Sequence, residues 1–446
     1  MAQQENDQRK TGTGVSWGWL NRTVVGIVTA TFFSDFSHEL ATAVLPLYLA
    51  AAGFGPMGLG LMEGVADFLV SLSKLGGGVL GHYVKRKRPW AALGYLITTV
   101  ATACLGLFRH LGALVMFRSV AWIGRGFRGP LRDYLLADAV TASHYGRAYG
   151  LERAGDMLGA VAGPLAATVF VFLGMPIPWI ILATLAPGVA AAAAMFFMVQ
   201  EKAVPSALVE VADQPLSQAD QAAHPGIASS DQADAVGGFP SGQAPRTGRF
   251  PPVFWWFLIG VGLFGLGDFS RTFLIWLAAE AFGEESSRQA GFISAPVLLY
   301  TWHNLVSAGA ALPLGAWGDR WSKFWVLLAG YGLGVGTNLL LAFYAGSLGR
   351  LAVAVTLSGI YIAAEETLEK AVAAELLPRH LRSLGFGILA CVNAVGDLVS
   401  SLYVGWFLQT GRGVWGFILA AALGGVGTIG LAVFGKMFFR KEISGG

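Results

Sequence analysis

The sequence predicts an all-α polytopic membrane protein, with twelve transmembrane helices arranged as two pseudo-symmetric halves of six. Three observations predict it. Apolar residues fall in blocks of about twenty, the length that spans a hydrocarbon core roughly 30 Å thick. The chain is 54% hydrophobic and only 13% charged, about half the charged share of a soluble globular protein, and its mean hydropathy is +0.58. One fixed step along the chain also relates motifs of the first half to motifs of the second.

The elements follow in order. Spans are expected near 24–51, 57–82, 90–107, 111–141, 148–173 and 177–199 in the first half. Those of the second half are expected near 253–282, 289–317, 325–345, 349–376, 383–409 and 414–438. The domain layout is a cytoplasmic tail (1–22), a six-helix bundle (23–199), a linker (200–250), a second bundle (251–438) and a cytoplasmic tail (439–446). The linker is rich in Ala, Gln, Ser, Asp, Pro and Gly. Such a segment cannot bury enough apolar surface to offset its ordering entropy. It is expected to be flexible, a regulatory docking segment being the alternative.

Positive residues set the orientation. Arg9, Lys10 and Arg22 precede the first span, and Lys85, Arg86, Lys87 and Arg88 follow the second. Arg320 with Lys323, Arg379 with Arg382, and Lys436 with Arg440 and Lys441 lie on the same side. The opposite loops hold the single residues Arg109, Arg288, Arg350 and Arg412. Both termini are therefore expected in the cytoplasm of a multi-pass protein of a bacterial inner membrane. The polar start "MAQQENDQRK" leads to no small-residue cleavage site, so no removable signal peptide is expected. Cys104 and Cys391 sit in apolar segments, where neither a disulfide nor a thiolate metal site is expected. Trp17, Trp19, Trp255 and Trp256 are expected interfacial anchors.

Gly78 to Gly315 is a step of 237 residues, and the same step joins Gly150 to Gly387 and Gly159 to Gly396. It sets His82 against Asp319 and Asp156 against Asn393. Spans one and seven both carry "DFS", at Asp35 and Asp268.

With these motifs in view, the chain resembles the major facilitator superfamily of transporters. The signature G-x-x-x-D-R-x-G-R-R/K is similar to the run holding Gly315, Asp319, Arg320 and Lys323. In the first half Gly78 and the basic run through Arg86 fit, while His82 stands where the acid belongs. "GAVAGP", Gly159 to Pro164, resembles the G-x-x-x-G-P element of antiporters, and "GRGFRGPLRDYLLAD" resembles a widespread bacterial branch. The resemblance implies a major facilitator fold in which spans one, four, seven and ten line a central cavity. It also implies that Gly78, Arg86, Gly315, Asp319 and Arg320 form a cytoplasmic latch rather than a substrate site.

The fourth span carries Arg125, Arg128, Arg132 and Asp133. A charged side chain facing lipid at mid-bilayer costs at least about 2.5–3.5 kcal/mol, so these residues must face protein or water. The three arginines stand at i, i+3 and i+7 on one helical face. One repeat step from Arg128, Arg132 and Asp133 lie Glu365, Glu369 and Lys370, each of opposite sign. Two halves related by an axis normal to the membrane would bring these faces toward each other. Arg128 and Arg132 are therefore expected to pair with Glu365 and Glu369 as a gate, the alternative being permanent structural pairs. Arg125, Asp133, Arg271 and Glu366 complete the candidate cavity residues. Asp35, Glu39 and Asp268 are candidates for proton coupling, since carboxyls desolvated in mid-span can titrate near neutrality. Glu63, Asp67 and Lys74 share one face of span two, with mutual neutralisation as the default reading. His38 and Glu39, with His303 and Asn304, are a weaker candidate metal-transport set. Gly155, Gly159 and Gly163 form a small-residue stripe suited to close helix contact.

The function expected is a secondary active transporter that moves a small anionic solute by alternating access, coupled to protons. A multidrug/proton antiporter, a metal or metal-chelate transporter and a non-transporting sensor are the alternatives. No G-x-x-x-x-G-K-[ST], H-E-x-x-H or nucleophile elbow occurs in the sequence, so neither an ATP motor nor an enzyme is expected. The expected partners are a small-molecule substrate and the lipid bilayer, with no cofactor and no nucleic acid, and the chain is expected to be a monomer.

Overall fold

The apolar blocks form helices because a backbone in hydrocarbon must satisfy every N–H and C=O internally. The computed structural model describes residues 17–54, 56–201, 249–269, 273–274, 277, 295–343 and 347–443. Most of the predicted linker lies outside the described residues, as do both chain ends and Arg288. The first half holds α1 (Arg22–Ala51), α2 (Pro56–Tyr83), α3 (Arg88–Cys104), α4 (Leu111–Ala139), α5 (Tyr145–Phe172) and α6 (Ile177–Met198). The last of these ends in a five-residue π turn, Ala194–Met198. The second half holds α7 (Pro252–Gly265), α8 (Ala295–Arg320), α9 (Lys323–Ala342), α10 (Leu348–Leu376), α11 (Arg382–Gln409) and α12 (Gly413–Ile443). Seven of the described helices are long and apolar enough to cross a membrane by composition alone. The charges of α1 and α4 lower their own hydropathy, and those charges point inward.

Span seven departs from the expected continuous helix over 253–282. The described helix stops at Gly265, and Leu266–Phe269 are not helical. Side chains take over the backbone's hydrogen bonds there. Tyr403 Oη donates to the Leu266 carbonyl (2.7 Å), Asn338 Nδ2 to that of Gly267 (2.8 Å) and Ser400 Oγ to that of Asp268 (2.7 Å). A broken helix is tolerated at membrane depth only where protein supplies such partners.

The two halves meet at the end that carries the basic loops. One apolar core there unites residues of both, from Ile27, Tyr134 and Tyr149 to Phe254, Tyr331 and Leu368. At the other end the described apolar residues form two separate cores. One holds Leu45, Tyr48, Leu105 and Ile180 of the first half, the other Leu277, Leu341, Val404 and Phe417 of the second.

Two crossings make the seam, α5 with α8 and α2 with α11. A Cβ on Gly315 would lie 2.0 Å from the Gly146 carbonyl oxygen, and one on Gly78 would lie 2.9 Å from both the Gly387 Cα and the Ser383 carbonyl oxygen. Gly146 and Ser383 are themselves one repeat step apart, so both crossings come from the same internal repeat. The stripe Gly155, Gly159 and Gly163 brings α5 against α1. A Cβ on Gly159 would lie 2.4 Å from the Phe32 carbonyl oxygen.

Of the expected anchors, Trp255 and Trp256 are exposed, whereas Trp19 is buried in the shared core. The chain folds Trp19 back onto α1, so it cannot reach an interface. The side chain of Trp17 lies outside the described residues. The basic run after α2 turns out to serve its own half. The Glu201 carboxylate accepts from the backbone N–H of Lys87 (2.8 Å) and of Arg88 (3.2 Å), capping α3 where its dipole is positive. Glu201→Gln should therefore cost about 1 kcal/mol. A lower thermal midpoint of the purified protein, with the helical circular dichroism unchanged, is the expected reading.

Candidate functional site

Between the halves lies a cavity of about 380 Å³. The first half contributes Asp35, Glu39, Lys74, Arg125, Arg128, Arg132, Asp133, Glu152, Arg153 and Asp156 to its walls. The second contributes Asp268, Glu365, Glu366, Glu369, Lys370 and Asp397. The candidate cavity and coupling residues converge here, except that Arg271 lies outside the described residues.

Arg125, Arg128 and Arg132 of α4 find their partners within the first half. Arg125 holds Asp35 through two hydrogen bonds, 2.6 and 3.1 Å. Arg132 pairs with Asp133 and Glu152, each at 2.9 Å. Arg128 donates to Ser34 Oγ (2.8 Å) and lies 3.8 Å from the ring centroid of Tyr95. Glu39 has no hydrogen bond or ion pair among the described residues.

The predicted gate is therefore corrected. Arg128 and Arg132 do not pair with Glu365 and Glu369. Glu369 instead accepts from Tyr331 Oη and from Asn393 Nδ2 (2.6 Å). Glu365 is 6% exposed, and its Oε2 has no hydrogen-bond partner among the described residues. The halves touch chiefly through α5–α8 and α2–α11, and α4 and α10 approach each other only over a short stretch. One repeat-related pair does approach, since Lys370 Nζ lies 4.0 Å from Asp133 and 4.0 Å from Glu152.

The closest charge link across the chamber had no place in the sequence reading. Arg153 Nη1 lies 2.7 Å from Asp156 and 2.6 Å from Glu366 of the other half. The signal was available in "LERAGD", Leu151 to Asp156, three charges in one apolar span. Glu152 and Asp397 were missed likewise.

Polar contacts fasten the basic end. Asp319 accepts from the backbone N–H of Gly146 (2.8 Å) and Arg147 (2.9 Å) at the positive end of α5, with Lys323 at 3.2 Å. Arg379 donates to Asp138 (2.7 Å), again between halves. His82, which takes the place of an acid, pairs its Nδ1 with the His380 carbonyl at 3.0 Å. The two latches are thus chemically unequal, an anion on a helix end in one and an imidazole on a carbonyl in the other. Arg86 is exposed.

The candidate metal residues do not assemble. His38 packs edge-on to Trp122, with ring centroids 4.8 Å apart, and His303 pairs with Ser358 (3.1 Å) and Asn304 (3.3 Å). Among the described residues no three His, Cys, Asp or Glu side chains are grouped to hold a metal ion. The side chains of Glu63 and Asp67 lie outside the described residues.

Comparison with known proteins agrees with this architecture. Residues 27–301 match the family model described as Major Facilitator Superfamily. An uncharacterized MFS-type transporter of Methanocaldococcus jannaschii is 24% identical over 388 residues, covering 87% of this chain and 88% of the relative. Among solved structures, the human organic anion transporter MFSD10 superposes with a TM-score of 0.69 at 16% identity, over 92% of this chain and 99% of that one. A bacterial homologue of the iron transporter ferroportin, in its outward-facing state, gives 0.66 at 13% identity, over 93% and 99%. At such identities the likeness is one of fold.

Proposed function

Because the chain belongs to the Major Facilitator Superfamily, we propose that it is a secondary active transporter working by alternating access and coupled to protons. One observation carries the reading. A chamber walled by ionisable side chains lies between two halves that share a core at one end and keep separate cores at the other. Rocking the halves about the chamber would break the glycine crossings and the Asp319 latch, and would expose the same side chains to the opposite face. In this reading the basic end faces the cytoplasm of a bacterial inner membrane. Both termini lie there, and the chain acts as a monomer. The state seen is then closed to the cytoplasm.

Asp35, Glu39 and Asp268 remain the proposed coupling groups. Glu39 is the best placed of them, since it lines the chamber with no described partner. The arginines of α4 motivated an anionic solute. Pairing of Arg125 and Arg132 with carboxylates weakens that argument and leaves it resting on Arg128.

The test uses the full chain in liposomes with a trapped pH-sensitive dye. Addition of a transported solute should move protons across the membrane, and Glu39→Gln should uncouple that movement from solute flux. Solute flux that ignores both an imposed pH gradient and Glu39→Gln would remove the coupling.

A further inference from the structure

The repeat step relates Arg128 to Glu365, Arg132 to Glu369 and Asp133 to Lys370. Most of these groups are met by neighbours. Arg132 holds Asp133 and Glu152, Glu369 accepts from Tyr331 and Asn393, and Lys370 lies 4.0 Å from Asp133. Arg128 and Glu365 differ from them. Arg128 is buried and makes a single hydrogen bond among the described residues, from Nη1 to Ser34 Oγ (2.8 Å). Tyr95 covers one face of its guanidinium, and no carboxylate among the described residues forms an ion pair with it. Glu365 is equally buried and has neither an ion pair nor a hydrogen bond among the described residues.

Both residues line the same chamber, one from each half. Being one repeat step apart, they stand at matching depth on opposite sides of the axis that relates the halves. A buried ionised group without a counter-charge is costly, and a guanidinium cannot shed its proton to escape that cost. The chamber thus presents a guanidinium on one side and a carboxyl on the other, at equivalent positions, each without an ion-pair partner among the described residues.

We propose, building on the transport reading above, that the chamber's substrate is a small zwitterion of the aminocarboxylate class, its carboxylate held by Arg128 and its ammonium by Glu365. A plain anion would leave Glu365 without a counter-charge, and a plain cation would leave Arg128 without one. A molecule that carries both charges meets both residues. The planar guanidinium takes a carboxylate through parallel hydrogen bonds, and the ammonium gives the Glu365 oxygens the donors they lack. The cavity of about 380 Å³ suits a molecule of that size.

The test varies the distance between the two charges. Glycine, 4-aminobutanoate and 6-aminohexanoate are titrated into the purified full chain in detergent, with thermal stabilisation and calorimetry as readouts. Each is compared with the carboxylate and with the amine of the same chain length. At least one zwitterion should bind at least about tenfold more tightly than both of its single-charge counterparts. Glu365→Gln should erase the advantage over the carboxylate, and Arg128→Gln the advantage over the amine. Glu201→Gln, remote from the chamber, should leave both advantages unchanged. Should either chamber variant fail to fold, Glu365→Asp and Arg128→Lys, which keep the charges, should keep the ranking, and the ranking in the wild-type chain decides. Carboxylates binding as tightly as the zwitterions would overturn the proposal in favour of an anion, and amines doing so in favour of a cation. Binding by no zwitterion of the series, or advantages unchanged in both glutamine variants, would also overturn it. Gradient-driven flux of some other solute without zwitterion binding would sink the zwitterion and leave the transporter. Zwitterion binding with the expected ranking but no flux in liposomes would do the reverse.

Discussion

Gly315→Val is expected to abolish transport, lowering flux by about a hundredfold or more, while the protein still inserts and folds. The reason is steric. A Cβ on Gly315 would lie 2.0 Å from the carbonyl oxygen of Gly146, whereas ordinary contact needs about 3.4 Å or more. Both partners are helix backbone, so no rotamer change relieves the clash and the halves must part. Parting them also pulls the positive end of α5 away from Asp319, which accepts from Gly146 and Arg147. The basic end would then stand open. Opening is measurable at Ser383, which is 1% exposed and sits in the other crossing beside Gly81. With Cys104 and Cys391 replaced by alanine, Ser383→Cys should react slowly with a charged maleimide in the parent protein and quickly in the Gly315→Val background. Gly336→Val is the control, since nothing lies within 4 Å of a Cβ there. Normal flux with slow labelling in Gly315→Val would mean that the crossing is not needed for closure.

The second large effect is expected at Arg153. Its Nη1 bridges Asp156 of its own helix and Glu366 of the other half, and the side chain is 6% exposed. Removing one partner of a buried ion pair strands the rest, at a cost of about 3–5 kcal/mol. Arg153→Met should therefore lower the thermal midpoint markedly and cut transport, because Asp156 and Glu366 then lose the cation that links them across the halves. Arg153→Met with Glu366→Gln should regain part of the stability by removing one of the two carboxylates, but not the transport, since the link across the chamber stays absent. If the single variant is as stable as wild type, the bridge does not hold the halves together in the state described.

The membrane-spanning class and the two-half organisation were legible in the sequence because hydrocarbon imposes a length and a polarity on every span. The repeat step was legible for a related reason. Glycines that let backbones touch cannot be exchanged without a clash, so Gly78, Gly150, Gly315 and Gly387 keep their register in both halves. That charges of α4 must face inward followed from the cost of putting them in lipid. Asp35, Glu39, Arg125, Arg128, Arg132, Glu365 and Glu369 do line the chamber.

Their partners were not legible. Sign inversion across the repeat suggested Arg132 opposite Glu369, yet Arg132 turns to Glu152 one helix away and Glu369 to Tyr331 and Asn393. A long side chain in a crowded cavity pairs with whichever opposite charge is nearest, and sequence offset does not report distances between helices. The break at Leu266–Phe269 escaped notice for a similar reason, because its carbonyls are satisfied by Asn338, Ser400 and Tyr403 from three separate places in the chain. What the sequence alone determined is therefore what local chemistry enforces: helices, their number, their repeat and the inward turn of their charges. Which half owns each ion pair and which end is sealed were decided only by tertiary packing, since these depend on distances between segments far apart in the chain.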